Sequence, residues 1–346
     1  MSGINVAILA LMTLLVIYGA VISFKSSNSF PGFRSVSHSE VELFNLWQQW
    51  KITFKKSYPS QEEEQFRFQI FLNNTQLISA WNSLPNQTAL LGLNQFADWT
   101  QKEYAEYSSD TFVPSKPTKP PKYLNVSNPL PTTVNWTAAG AVTPVANQGL
   151  CSSCWAFSVI GSVESLYYIE NEALYAFSTQ QLIDCSLSYG NNGCKSGQLG
   201  NAFQYVIHNG VETDKIYPYT GKQQVCQFDE TEVIYTPDGY QNVPPYDWYQ
   251  LMAAVSLQPV AIVVEADQVV FQFYRSGIIS NGCGQAVNHG LLLVGYGYDD
   301  NLKMAYWTAK NFYGTTWGEQ GYVRIQRSGT TNVCGVLTAP AYPYSH

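Results

Sequence analysis

The cysteines constrain this chain more than any other feature, because all seven lie after residue 150. Two of them stand three positions apart in the stretch Cys151-Ser152-Ser153-Cys154. Cysteines at this spacing occur in zinc sites, in redox dithiols, in two unrelated disulfides, or as a disulfide cysteine beside a nucleophile. In an oxidising compartment an odd number of cysteines leaves one thiol over, and that thiol needs an explanation. The other five are Cys185, Cys194, Cys226, Cys283 and Cys334.

The N-terminus indicates export. Residues Ile4 to Ile22 form an apolar run, followed by small residues near Ser23, which predicts a secretory signal peptide over residues 1–23. Because no Lys or Arg precedes the run and its length suffices to span a bilayer, a retained membrane anchor is the alternative. Four Asn-x-Ser/Thr sequons agree with the secretory pathway. They begin at Asn73, Asn86, Asn125 and Asn135.

Composition favours a compact protein that does not bind nucleic acid. Hydrophobic residues make up 45% of the 346 residues and aromatic residues 14%, which is enough for a sizeable core. Residues 130–346 carry 8 Lys and Arg against 16 Asp and Glu, whereas residues 1–129 carry 10 against 9. Since no stretch clusters basic residues on one face, nucleic acid is a poor partner.

The N-terminal part of the chain predicts a helical segment followed by a linker. Residues 40–107 are charged and aromatic, with helical spacing and almost no glycine. Residues 113–131 contain six prolines among Lys, Ser and Thr, a composition typical of an extended backbone that proteases reach. We therefore expect residues 113–131 to be a processing linker.

The remainder changes from helical to β-rich near Pro259. Trp155–Asn171 predicts a buried helix, Ser178-x-x-Gln181 a capping box for a short helix, and Gln198–His208 a third helix. Beyond Pro259, β-branched or aromatic runs punctuated by glycine predict antiparallel strands. These runs are Val260–Val264, Leu291–Gly295, Tyr306–Asn311 and Tyr322–Gln326. The pattern indicates an α+β protein of two lobes, with a site in the cleft between them.

Two explanations of the Cys151 and Cys154 pair are disfavoured. Zinc needs a second close pair of ligands, and eight residues separate Cys185 from Cys194. A thioredoxin-like dithiol belongs to a cytosolic βαβ pattern, which this sequence lacks. The remaining explanation is a nucleophile, which requires a general base, a group that orients the base, and donors for an oxyanion.

Two residues fit the nucleophile and the base. Cys154 lies at the start of the predicted apolar helix, where the helix N-terminus favours a thiolate. Of the four histidines, only His289 enters a buried-looking strand beside a glycine. A structural histidine would explain His289 equally well if it stood alone.

Three stretches together resemble the papain family of cysteine proteases. They are Gln148–Ser158 (QGLCSSCWAFS), Asn288-His289-Gly290 and Lys310–Gly314 (KNFYG). His289 follows Cys154 by 135 positions, within the range of about 130–150 that the family shows, and Asn311 follows it by 157.

The resemblance implies a role for each of these residues. Cys154 is the nucleophile, His289 the base and later the acid, and Asn311 the residue that orients the imidazole. Gln148 donates to the oxyanion together with the backbone N–H of Cys154. The resemblance also implies disulfides Cys151–Cys194, Cys185–Cys226 and Cys283–Cys334, and neither cofactor nor metal.

The N-terminal segment resembles the propeptide of the cathepsin L-like branch of this family. Six residues fall on one face of a helix at about 100° per residue: Glu63, Arg67, Phe71, Asn74, Ile78 and Asn82. A second motif follows with Gly92, Asn94, Phe96 and Asp98. The resemblance implies an inhibitory propeptide over residues 24–129 and a peptidase domain over residues 130–346. Its fold is two-lobed, with a helical left lobe and an antiparallel β-barrel right lobe.

Specificity and partners follow from the same resemblance. Ala339 matches the floor of the pocket for the second substrate residue on the acyl side, and Leu199, Val263 and Val287 complete an uncharged wall that suits Leu, Val or Phe. Gly197 matches the glycine that pairs with an extended substrate, and Trp317 lines the cleft. The implied partners of this monomer are protein and peptide substrates, its own propeptide and cystatin-like inhibitors, in an acidic lysosome-like compartment or outside the cell.

Three positions depart from the family pattern. Ser152 and Ser196 stand where glycine is usual, and Tyr313 stands where a tryptophan usually covers the His–Asn hydrogen bond. No catalytic group is lost, so an active endopeptidase is expected. The alternative is a catalytically impaired relative that serves as a disulfide-stapled binding or storage protein.

Overall fold

The structure is a computed structural model that describes residues 40–108, 121–126 and 129–346. The predicted signal peptide and most of the proline-rich linker lie outside these residues. In the described part of the chain, no helix combines the length and the hydropathy needed to cross a membrane.

The N-terminal segment is built from three helices and one short strand. Helices α1 (Glu40–Thr53), α2 (Gln61–Asn82) and α3 (Gln101–Ser108) confirm the helical prediction for most of residues 40–107. Helix α2 begins after Ser60, whose hydroxyl accepts a hydrogen bond from the Glu63 N–H at 3.2 Å. The prediction was wrong between α2 and α3, where Ala89–Leu91 forms strand β1.

The left lobe is helical, as predicted. It contains α4 (Cys154–Asn171), α5 (Thr179–Cys185) and α6 (Leu199–Asn209), with short 3-10 turns at Leu187–Tyr189 and Glu230–Glu232. The hydroxyl of Ser178 caps α5 by accepting from the Gln181 N–H at 2.9 Å. Only half of the capping box forms, because the side-chain oxygen of Gln181 accepts from the backbone N–H of Glu212 instead of that of Ser178.

The right lobe is a sheet with two more helices and a 3-10 turn. Helices α7 (Trp248–Leu257) and α8 (Val269–Gln272) flank it, and Val333–Gly335 forms the turn. The remaining strands are β2 (Val134–Asn135), β3 (Gly239–Asn242), β4 (Val260–Val264), β5 (Tyr274–Ile279), β6 (His289–Asp299), β7 (Met304–Lys310), β8 (Tyr322–Gln326) and β9 (Ala341–Tyr344).

The strands pair in the order β1-β5-β8-β7-β6-β4-β9-β3, and β2 pairs with β6. All these pairs are antiparallel except β5 with β8, which is parallel. Strand β1 pairs Ala89 with Gly277 and Leu91 with Tyr274, so the N-terminal segment extends the edge of the right-lobe sheet.

The two lobes meet along α4 and β6. A Cβ atom at Gly161 of α4 would lie 2.8 Å from the side chain of Leu292 of β6, so a larger residue at 161 would require Leu292 to shift. Two disulfides, Cys151–Cys194 and Cys185–Cys226, lie in the left lobe, and Cys283–Cys334 lies in the right lobe. These are the three pairs that the family resemblance implies.

Candidate active site

Cys154 is the one cysteine outside the disulfides and the first residue of α4. Its side chain is buried, with 2% exposed. The first backbone N–H groups of a helix have no intrahelical acceptor, and the helix dipole places partial positive charge there. A thiolate at this position is therefore favoured over one in the middle of a helix.

His289 begins β6 and is held by Asn311. Its Nε2 lies 2.8 Å from Asn311 Oδ1, and the same oxygen accepts the Phe312 N–H at 2.7 Å. Because a backbone N–H only donates, this contact assigns the Asn311 atom as the oxygen, so Nε2 is the protonated nitrogen. The other ring nitrogen, Nδ1, is buried without a hydrogen-bond partner among the described residues. The arrangement leaves Nδ1 as the proton acceptor.

Burial controls the charge of His289. Its side chain is 1% exposed. Removal from water lowers the pKa of His289 to about 4, and the hydrogen bond that His289 donates to Asn311 opposes this only partly. In the covered cleft the imidazole is therefore neutral at physiological pH.

Aromatic rings cover the His–Asn pair. The ring of Tyr313 lies 4.9 Å from the His289 ring, and Trp317 packs edge-on against Tyr313 at 5.6 Å. Trp317 is fully buried, and its indole N–H donates to Phe271 O at 2.9 Å. Trp317 thus belongs to this aromatic cover, together with Tyr313 and Phe271.

Gln148 precedes the turn that leads to Cys154. Its backbone N–H donates to Phe312 O at 2.8 Å, which joins the turn to the segment after Asn311. Its side-chain Nε2 donates one hydrogen to Cys151 O at 3.1 Å. The amide carries a second hydrogen that is available to another acceptor.

The residues of the predicted acyl-side pocket come together. Leu199 and Val263 are buried in one hydrophobic cluster, and Val287 and Ala339 pack against its edge while remaining partly exposed. All four side chains are apolar. Gly197 backs onto Trp155, since a Cβ atom there would lie 2.2 Å from the indole ring. Packing against Trp155 therefore requires glycine at residue 197, apart from any need for a substrate backbone to approach closely there.

Comparison with known proteins explains this geometry. The profile of the family described as "Papain family cysteine protease" matches residues 130–344, and that of the "Cathepsin propeptide inhibitor domain" matches residues 47–104. The chain belongs to the papain family of cysteine proteases. It carries an inhibitory propeptide and is a zymogen of the cathepsin L-like kind.

Several relatives resemble this protease over most of their length. Cathepsin L of Sarcophaga peregrina is 38% identical over 86% of this chain and 91% of its own length. Fruit bromelain of Ananas comosus is 36% identical over 90% of each chain. Among solved structures, digestive procathepsin L 3 of Tenebrio molitor aligns with a TM-score of 0.80 at 36% identity, covering 90% of this chain and all of that one. A recombinant stem bromelain precursor aligns at 0.82 and 34%, covering 88% and 99%.

The first propeptide motif holds α2 against the chain that follows it. Arg67 donates to Glu63 at 2.7 Å and to both oxygens of Glu103 at 2.8 and 2.9 Å, which ties α2 to α3. Asn74 donates to two carbonyl oxygens near the second motif, and Asn82 exchanges two hydrogen bonds with Leu91. Phe71 and Ile78 are buried. The polar members therefore fix the path of the loop between the helices.

The second propeptide motif contacts the protease itself. The Gly92 N–H donates to Phe273 O at 2.8 Å, and the Asn94 side chain donates to Gln272 O at 2.7 Å. The ring of Phe96 packs on Tyr313 at 5.4 Å. Asp98 points instead into the propeptide, where it accepts from Lys56 and Tyr58 at 2.8 and 2.9 Å.

Two tyrosines that sequence reasoning missed complete the cover. Tyr104 and Tyr107 of α3 lie with Phe96 against Tyr313, and the ring of Tyr107 is 5.3 Å from that of Tyr313. Cys154 and Tyr219 are near enough to contribute to the raised pKa of Tyr107, although burial is its main cause. Tyr104 and Tyr107 stand three residues apart, which places them on the same face of a helix. This spacing was the signal that sequence reasoning could have used.

Proposed function

We propose that this protease is a cysteine endopeptidase in which Cys154 and His289 form a thiolate–imidazolium pair. The observation that carries the proposal is the His289–Asn311 hydrogen bond at 2.8 Å, which occupies Nε2 and leaves Nδ1 without a partner. His289 is followed directly by Gly290, which packs on the backbone of Cys154. A structural histidine would be expected to have both ring nitrogens satisfied when fully buried.

The reaction is acyl transfer in two steps. Nδ1 of His289 takes the thiol proton, and Sγ of Cys154 attacks the carbonyl carbon of the peptide bond. Gln148 Nε2 and the Cys154 N–H donate to the oxyanion that forms. The imidazolium then gives its proton to the leaving amine as the C–N bond breaks, which leaves a thioester on Cys154. Water, activated by His289, attacks the thioester, and the acid leaves as the thiol is restored.

Substrate preference follows from the apolar pocket. Leu199, Val263, Val287 and Ala339 offer no charge, so the second residue on the acyl side is bulky and apolar. Burying such a side chain contributes about 1.5–3 kcal/mol. Burying an unpaired Arg or Glu in the same place would be strongly unfavourable.

The processing scheme is also part of the proposal. Residues 1–23 are removed as a signal peptide, and residues 24–129 form the propeptide that is lost when the domain of residues 130–346 matures. The monomeric enzyme works in the secretory pathway, either in a lysosome-like acidic compartment or outside the cell, on protein and peptide substrates. Cystatin-like proteins are its expected inhibitors.

Peptidyl amides with a fluorescent leaving group test the chemistry and the preference together. A series that differs only at the second acyl-side residue compares Leu, Val and Phe with Arg and Glu, using enzyme matured from the full chain. We expect hydrolysis of the apolar members, and loss of activity in Cys154→Ala and His289→Ala. Equal hydrolysis by Cys154→Ala, or a preference for Arg, would contradict the proposal.

A further inference from the structure

The hydroxyl of Ser153 is not used where it would be expected. Ser153 directly precedes α4, and a serine at this position usually accepts an N–H of the first helical turn. Its side chain makes no such hydrogen bond, although Ser153 is fully buried. Its hydroxyl instead lies 2.8 Å from the hydroxyl of Tyr219, which follows 66 positions later in the chain. This contact needs an explanation other than helix capping.

The hydroxyl of Tyr219 joins the two ends of the turn before Cys154. It donates to Gln148 O at 2.7 Å. Because a phenol has a single hydrogen, the contact with Ser153 is a bond that Ser153 donates. Ser153 has another acceptor in the turn, Cys151 O, but at the longer distance of 3.3 Å. The chain of bonds therefore runs from Ser153 through Tyr219 to Gln148, and each bond strengthens the next.

The side chain of Gln148 is hydrogen-bonded within this turn. Its Nε2 donates to Cys151 O at 3.1 Å, and its Oε1 is buried without a hydrogen-bond partner among the described residues. The direction of the amide thus depends on how the backbone of the turn is held. The Cys151–Cys194 disulfide fixes one point of the turn, and the bond from the Gln148 N–H to Phe312 O fixes another. Tyr219 adds the Gln148 carbonyl and the last residue of the turn.

Tyr219 is itself firmly held. Its ring packs edge-on against Phe157 of α4 at 4.8 Å, and its N–H donates to Asp214 at 3.2 Å. The next residue, Thr220, donates from its N–H and its hydroxyl to Gln180 at 2.9 and 3.1 Å. Burial raises the pKa of Tyr219 to about 12, so the phenol keeps its proton at neutral and acidic pH. A group held in this way can fix the turn.

We propose that Tyr219 is a positioning residue that, by holding both ends of the turn, sets the spacing of the oxyanion donors Gln148 Nε2 and Cys154 N–H. The inference rests on the proposed function. An oxyanion hole works because its donors are aimed at the oxygen before the reaction, so a turn that shifts loses part of this stabilisation. Since the oxyanion is absent from the bound substrate, the loss lowers kcat and leaves KM nearly unchanged.

The variant Tyr219→Phe tests this role, because it removes the hydroxyl and keeps the ring on Phe157. With enzyme matured from the full chain, kcat and KM are measured on a peptidyl amide with Leu at the second acyl-side position. The rate at which iodoacetamide alkylates Cys154 is measured in parallel. Alkylation forms the S–C bond as iodide leaves and creates no oxyanion, so it reports on the thiol alone. Ser153→Ala removes the other end of the bridge and decides the question if Tyr219→Phe matures poorly.

The variant Tyr217→Phe is the matched control. Tyr217 is buried two residues before Tyr219, and its hydroxyl donates to Asp184 at 2.8 Å and accepts the Gln227 N–H at 3.1 Å. The same substitution therefore removes hydrogen bonds from the same segment, none of them to the turn. The Tm of each variant separates a loss of stability from a loss of rate.

We expect kcat to fall about tenfold in Tyr219→Phe and in Ser153→Ala, less than the roughly hundred- to thousandfold cost of deleting a donor outright. KM and the alkylation rate should stay within about twofold, and Tyr217→Phe should keep the wild-type kcat. An unchanged kcat in both turn variants would overturn the inference, as would an equal fall in the alkylation rate or in Tyr217→Phe. A wild type that neither cleaves the amide nor is alkylated at Cys154 would instead contradict the proposed function, and the inference with it.

Discussion

Gly290 packs directly against the carbonyl group of Cys154. A Cβ atom at Gly290 would lie 2.9 Å from that oxygen, closer than real Cβ atoms approach, and 3.1 Å from the Ser158 hydroxyl, which is tighter than most real contacts. Because Gly290 follows His289 in β6, this contact sets how closely His289, the proposed base, approaches Cys154. The lobe interface and the catalytic geometry therefore depend on the same residue.

The change Gly290→Ala should displace His289 from Cys154 while leaving both cores packed. A misplacement of about 1 Å lowers the rate about a hundredfold, so we expect a loss of that order in kcat/KM. The Tm should fall by much less than after a large core truncation. Gly329→Ala, at an exposed loop position whose nearest contact is 3.3 Å, is the control. Full activity in Gly290→Ala would contradict this account of the interface.

The buried carboxyl of Glu164 should make the fold more stable in acid. It accepts from Thr143 and from the Phe177 N–H, and Thr143 accepts from Lys310. Burial raises the pKa of Glu164 to about 7, with Lys310 opposing the change. A carboxyl whose pKa is raised by folding stabilises the protein below its unfolded pKa, and that stability is lost as pH rises through 7.

The variant Glu164→Gln should remove this pH dependence. The free energy of unfolding of a Cys154→Ala chain is measured by denaturation at about pH 4.5 and about pH 7.5. Glu164 should account for about 3 kcal/mol of the difference between the two pH values. Exposed Glu230→Gln is the matched control, and a difference unchanged by Glu164→Gln would refute the assignment.

Arg67 should determine how firmly the propeptide holds its shape. The change Arg67→Met leaves Glu63 and Glu103 without their shared cation, and the link between α2 and α3 is lost. We expect the propeptide to be released and cleaved at higher pH than in the parent chain, as followed by gel densitometry across a pH series. Lys102→Met on the same segment removes only the exposed ion pair between Lys102 and Glu106 at 3.8 Å, so it should leave the pH dependence of cleavage unchanged. Identical profiles for both variants would contradict this role.

A carboxylate at the floor of the acyl-side pocket should reverse its preference. Ala339→Glu places a negative charge beside Val287, where it can pair with a substrate Arg. The ratio of kcat/KM for Arg over Leu at the second acyl-side position should rise at least about tenfold, since charged hydrogen bonds contribute about 1.5–3 kcal/mol. Ala339→Gln, similar in size but neutral, is the control. An equal rise in both variants would mean that size and not charge is responsible.

The residues proposed to be catalytic could be located in the sequence because each lies in a short stretch with its own signature. Cys154 precedes an apolar helix, and His289 and Asn311 lie at the ends of β-rich runs. Helix α2 could be predicted for the same reason, since Phe71, Asn74 and Ile78 all fall on its buried face.

Features that depend on docking could not be predicted in this way. Strand β1 has only three residues and becomes a strand because the edge of β5 pairs with it. The parallel pairing of β5 with β8 depends on the whole sheet. The packing of Phe96, Tyr104 and Tyr107 on Tyr313 arises only when the propeptide covers the cleft, which no local pattern encodes.

Intact-mass analysis of the zymogen tests the central claim most directly. The chain is incubated at about pH 4.5, where carboxylates begin to protonate, with an epoxysuccinyl probe that alkylates a catalytic thiolate. Cys154→Ala is treated in parallel. The account predicts a mass drop to a form that begins near residues 128–131, with one probe on Cys154, and neither event in the variant. A chain that stays unlabelled, even after an added protease has cut the linker, would contradict it.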